Sequence, residues 1–125
     1  MFSTHVVDDT WKGTATPNDV DKARSTIRQL YCDWSSEGLP ERHASHTPIV
    51  AALEEHLPSL PVAHRHRHRI LVPGAGLGRL VFELCIAGYT VEGNEISYHQ
   101  LIASNCILYG ARSAGQHKLC KCSGK

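Results

Sequence analysis

Three glycines, Gly74, Gly76 and Gly78, alternate in PGAGLGR directly after the apolar run at residues 70–72, and an acid, Glu95, follows 17 residues beyond Gly78. Glycine lets a backbone turn sharply and approach a bulky ligand, and it lets the next helix start close to its neighbours with its N-terminus free. A carboxylate at the end of the following strand sits beside the same crevice and can accept hydrogen bonds from the vicinal hydroxyls of a ribose. Gly74, Gly76, Gly78 and Glu95 together form a nucleoside-binding constellation. Any one of them alone would be weak, because a glycine pair also serves a plain tight turn.

The elements that must hold these residues follow from the flanking pattern. Residues 69–73, RILVP, read as a short strand of the kind buried inside a parallel sheet, with Leu80, Val81, Leu84 and Ala87 at helical spacing after the loop. Gly88 supplies a C-terminal break, and residues 90–93 are expected to form the second strand. A strand, a glycine turn, a helix and a parallel strand make a β-α-β unit, so the fold class is doubly wound α/β. A last helix covers ISYHQLIASNCIL, where Ile96, Leu101, Ile102 and Leu108 account for burial; Asn94 is available to bond the turn, and Tyr98 or His99 to line a base.

Upstream, Val20, Ala23, Ile27, Leu30 and Tyr31 recur at three- and four-residue steps, so a helix capped by Asn18 or Asp19 ends between Trp34 and Gly38. Trp34 is expected to anchor it against the sheet, and Arg42 to pair with Glu37 or Glu41. A second helix is expected from the cap Thr47 and Pro48 to Pro58, with Ile49, Ala52, Leu53 and Leu57 inward. The His/Arg alternation at residues 64–69 is polar on both faces, which makes it a solvated loop; its arginines repel a cation, so no metal is assigned.

Composition narrows the class further. The 125 residues suit one domain or part of one, and the formal charge of +1 names neither nucleic acid nor anionic lipid as partner. No run approaches the ~20 apolar residues of a membrane span, and the N-terminus lacks a secretory pattern, so a cytoplasmic location, with the nucleus second, is expected. Of the five cysteines, Cys32, Cys85 and Cys106 read as buried thiols, while Cys120 and Cys122 lie in a frayed tail. Residues 1–18 are an irregular lead-in in which Trp11 is available for packing, 19–61 a helical extension, 62–109 the first part of the α/β domain and 110–125 an atypical tail. Arg79 stands where the third glycine of a dinucleotide loop belongs, and this favours S-adenosylmethionine over NAD or FAD.

The segments STIRQLYCDWSSEGLPERHASHTPIVAAL and VPGAGLGRLVFELCIAGYTVEGNEISYHQLIASN closely resemble the carnosine N-methyltransferase family, from about residue 19 to residue 108. The resemblance implies a Rossmann-like methyltransferase fold and transfer of a methyl group from S-adenosylmethionine to an imidazole nitrogen of carnosine or a related histidine dipeptide, giving anserine. It also implies that Gly74 and Glu95 contact the cofactor, together with Gln29 of the N-terminal helix. The family's arginine three residues after that glutamine is Cys32 here, which leaves Arg28 or Arg42 to replace it. The family's substrate-handling Asp, His and Tyr lie downstream of GNE and have no counterparts before Lys125. No catalytic residue is therefore assigned. The chain is expected to be a C-terminally truncated member with an incomplete sheet, and turnover by it alone is not expected. Two other readings stand beside this one: a fragment of an NAD- or FAD-dependent oxidoreductase, and a noncatalytic product that self-associates through its open sheet edge.

Overall fold

A computed structural model describes residues 10, 12–57 and 61–119; the readings at Trp11, Cys120 and Cys122 lie outside them. Helix α1 spans Pro17–Trp34, and its cap, Thr16, lies two residues before Asn18, the earlier of the two expected caps. The Asp19 N–H donates to Thr16 Oγ1 at 3.3 Å and the Thr16 N–H to the Asp19 carboxylate at 3.0 Å, with Pro17 in the first turn. Asp19 thus closes a reciprocal cap from inside the helix instead of standing before it. Val20 and Ile27 face solvent, contrary to the expected stripe, because the cover on α1 falls on Thr26 and on the stretch from Gln29 to Trp34.

Helix α2 is Leu39–His56, a full two turns longer at its start than expected, with Pro40 in the first turn and Pro48 inside it. An interior proline removes one helical hydrogen bond at a cost of about 3 kcal/mol. The turn before Pro48 is held from outside the ladder. Arg42, 6% exposed, donates from Nη1 to the carbonyls of Cys32 at 2.7 Å and Ser35 at 2.8 Å. Its inward stripe is Arg42, His46, Val50, Leu53 and Leu57, which begins with polar residues, while Ile49 is exposed. Arg42 therefore ties off the end of α1 by donating to its carbonyls.

The segment Val62–Arg67 is a 3₁₀ helix instead of a solvated loop. His64, His66 and Arg67 do face solvent, but Arg65 lies over the Tyr89 ring at 5.4 Å and donates to the Ala87 carbonyl at 3.2 Å. Alternate polar residues are recruited because the second strand begins beside them: the Thr90 hydroxyl donates to the His66 carbonyl at 2.7 Å.

Strands β1 (Arg69–Pro73) and β2 (Thr90–Asn94) pair in parallel, from Arg69 opposite Thr90 to Pro73 opposite Asn94, with α3 (Arg79–Ile86) between them in the chain. This is the expected β-α-β order, and the chain is mixed α/β. Gly93 lies under α3, since a Cβ there would stand 2.8 Å from Val81 Cγ2. Alternation then turns Leu71 and Glu92 to the other face, where Leu71 is 59% exposed and Arg69 reaches Glu92 at 3.7 Å. The strand expected in a buried interior is covered on one face only.

The core among the described residues is small: Leu77 and Leu84 are fully buried and Tyr89 nearly so. Helix α4 (Tyr98–Asn105) continues as a π-helical turn, Cys106–Gly110. Here Ile96 is 98% exposed, and Leu101 and Ile102 are also exposed, against the expected burial. Among the described residues α4 packs against α1 and the glycine loop, and much of its apolar side stays exposed. Cys85 and Cys106 are exposed and Cys32 is half-buried, for the same want of overlying layers.

Candidate functional site

Parallel pairing puts the C-terminal ends of β1 and β2 side by side, so the loop leaving β1 and the acid leaving β2 must meet. They do. The Gly76 N–H donates to Glu95 Oε2 at 2.9 Å, the Ser97 N–H to Glu95 Oε1 at 2.7 Å, and the Ala75 N–H to the Asn94 carbonyl at 2.8 Å. Asn94 contributes its backbone to the turn. The hydrogen bonds from Ser97 and Gly76 hold the Glu95 carboxyl below the usual carboxylate range. It is a partly exposed group, with Gly76 on one oxygen and Ser97 on the other.

The three glycines have different surroundings although all have positive φ, +62° at Gly74, +56° at Gly76 and +75° at Gly78. Gly74 is exposed, and a Cβ there would meet nothing within 4 Å. At Gly76 a Cβ would stand 2.7 Å from Gln29 Nε2, and at Gly78 it would stand 3.2 Å from Leu108 Cδ1 and from Ser104 Oγ. Gly76 gives its space to α1 and Gly78 gives its space to α4 and the turn after it. Open room for a ligand is at Gly74.

Gln29 is thus brought against the loop, half-buried, with its Oε1 accepting from Gln100 Nε2 at 2.7 Å. Burial pushes the neighbouring Asp33 carboxyl up, and interaction with the Gln29 amide opposes that shift. Cys32, at the position of the absent arginine, has its thiol pushed up by burial and by Glu41. Arg28 is exposed, and Arg42 is committed to the carbonyls at the end of α1. Tyr98 is largely exposed, and His99 is half-buried.

A second cluster fastens the loop from behind. The Trp34 indole N–H donates to the Leu77 carbonyl at 3.3 Å, and the ring packs 5.4 Å from Phe82, so Trp34 anchors α1 to the loop and α3 instead of the sheet. The Arg79 guanidinium covers Trp34 at 5.0 Å, its Nε donates to Glu83 Oε1 at 2.8 Å, and Glu83 Oε2 lies 2.9 Å from His46 Nδ1. Burial raises the Glu83 carboxyl, but Arg79 and His46 together bring it below its ordinary value. Apart from the i,i+4 pair Arg79 and Glu83, no sequence spacing signals this cluster, because its members come from three separate helices. Gln100 is likewise missed, since a lone glutamine in a helix carries no pattern. The shallow depression over Arg69–Leu71 and Thr90–Glu92 lies on the strands themselves, away from the glycine loop.

Residues 9–121 match a family model described as carnosine N-methyltransferase. Among curated proteins, the chain is 46% identical over 92 residues to Carnosine N-methyltransferase unmet of Drosophila melanogaster, covering 74% of this chain and 20% of that protein. It is 39% identical over 105 residues to the Carnosine N-methyltransferase of Rattus norvegicus, covering 84% of this chain and 26% of the relative. The enzyme of the same name from Schizosaccharomyces pombe is 39% identical over 95 residues, with 76% and 25% covered. The chain therefore spans about a quarter or less of the length of the relatives it matches.

Proposed function

Since this chain belongs to the carnosine N-methyltransferase family, we propose that its glycine loop is the methyl-donor site of an enzyme that methylates an imidazole nitrogen of carnosine or a related histidine dipeptide. The donor is S-adenosylmethionine, bound on a Rossmann-like framework, and the products are S-adenosylhomocysteine and anserine. The observation that carries this reading is the Glu95 carboxylate bridged to the Gly76 N–H beside the open side of Gly74.

The residues fit the group. A carboxylate has about four lone-pair positions, and the two backbone donors on Glu95 leave capacity for a vicinal diol. Holding Glu95 charged makes those remaining acceptors strong. The space a Cβ would fill at Gly74 is where the amino-acid portion of the donor would pass. Gln29 supplies a polar wall at Gly76, and Gly78 sets the start of α3 against α4. When bound, the sulfonium supplies an electrophilic methyl carbon for in-line displacement, whose first requirement is alignment with a neutral nucleophilic nitrogen. No side chain of this chain is proposed to act on that nitrogen.

Calorimetric titration of the 125-residue chain with S-adenosylhomocysteine and, separately, with NADH tests the reading. Saturable heat with the former and none with the latter is expected. Preference for NADH, or no heat from a folded chain with S-adenosylhomocysteine, would refute it.

A further inference from the structure

Gln29 is the only side chain of α1 that reaches the space in front of Gly76 among the contacts described there, and the orientation of its amide decides what it shows to that space. The NH2 group of Gln29 is the end that lies 2.7 Å from the Cβ position of Gly76. The other end, Oε1, then requires a donor. Gln100 provides it from Nε2 at 2.7 Å, across the contact between α1 and α4. The Oε1 of Gln100 itself lies 3.5 Å from the same Cβ position, so the two amides form one wall beside the loop.

We propose that Gln100 is a positioning residue that fixes the Gln29 amide against Gly76, with nitrogen toward the loop, before any ligand arrives. The consequence for affinity rests on the reading of the loop as the methyl-donor site. A wall set in advance spares the ordering cost of a long side chain on binding. Without a donor at position 100, Gln29 Oε1 loses its partner and the amide is free to turn or withdraw.

The test uses the whole 125-residue chain, isotopically labelled, with Gln100→Leu, the isosteric Gln100→Glu, which cannot donate, and Gln100→Lys, which can. In ligand-free spectra, nuclear Overhauser contacts between the Gln29 side-chain amide and the Gly76 α protons are expected in the wild type and in Gln100→Lys. They should be lost in Gln100→Leu and Gln100→Glu. Affinity for S-adenosylhomocysteine should fall about fivefold to tenfold in the two non-donors, the factor one hydrogen bond commands. It should stay close to wild type in Gln100→Lys, and no further loss should appear when Gln100→Leu is added to Gln29→Ala. Contacts that persist in both non-donors, contacts absent from the wild type, or additive losses would overturn the proposal. If the wild-type chain binds no S-adenosylhomocysteine, the donor-site reading falls, and the ligand-free spectra still decide whether Gln100 holds Gln29.

Discussion

Glu95 is the residue on which a pH dependence should be visible. Its folded carboxyl is held below the ordinary value by the Ser97 and Gly76 N–H groups, so it contributes stability that is present above the unfolded value of 4.5. That contribution is lost as pH falls through the lower folded value. Thermal midpoints of wild type and Glu95→Gln should accordingly differ most at about pH 7 and converge toward about pH 3. A gap that widens on acidification would be inconsistent with the bridge. At Gly76, alanine should destabilise by about 1–3 kcal/mol, because it meets both a left-handed backbone and the Gln29 amide. Pairing it with Gln29→Ala should recover the clash but not the backbone strain, which chemical denaturation of the double-mutant cycle would resolve. The glycines and Glu95 were legible in the sequence because ligand-type spacing lies within a single β-α-β unit. That Gly76 and Gly78 yield their space to α1 and α4 was not legible, since those contacts join residues far apart in the chain.

Among the elements, α2 shows how polar residues in an inward stripe disguise a helix. Pro48 reads as a start because apolar periodicity begins after it, yet Arg42 and His46 already occupy the inner face, held by the carbonyls of α1 and by Glu83. Replacing Arg42 with methionine should cost about 1–3 kcal/mol in a denaturant titration, since two carbonyls at the end of α1 lose their donor. A change within error would mean that water satisfies those carbonyls equally well. Glu83→Gln removes the charge shared between Arg79 and His46, and faster amide hydrogen exchange in α2 is the expected result. The 3₁₀ helix at Val62–Arg67 was hidden for a related reason: its His/Arg alternation fits a loop until Tyr89 and Thr90 offer Arg65 and His66 local partners. The two strands and α3, by contrast, follow directly from apolar runs punctuated by glycine.

For the molecule as a whole, two fully buried leucines and one tyrosine form the described core, while Leu71, Ile86, Ile96, Tyr98, Ile102 and Tyr109 are exposed. So little burial predicts a marginal fold with considerable apolar surface. The chain should brighten a hydrophobic dye at neutral pH, and it should self-associate with rising concentration in sedimentation, less so for Leu71→Lys. A dye-silent monomer would contradict that picture. Burial was the least legible property, because apolar periodicity names the side of a helix that seeks cover without saying what covers it, as Ile96 and Ile102 illustrate. A marginal fold should also be raised in thermal midpoint by any ligand that prefers it, in proportion to affinity. The most direct test of the central claim is an amide chemical-shift titration of the labelled chain with S-adenosylhomocysteine. The largest changes are expected at Gly74, Ala75, Gly76 and Glu95, and weakened binding is expected in Glu95→Ala. No change at the loop, or changes confined to the depression over Arg69–Leu71 and Thr90–Glu92, would contradict it.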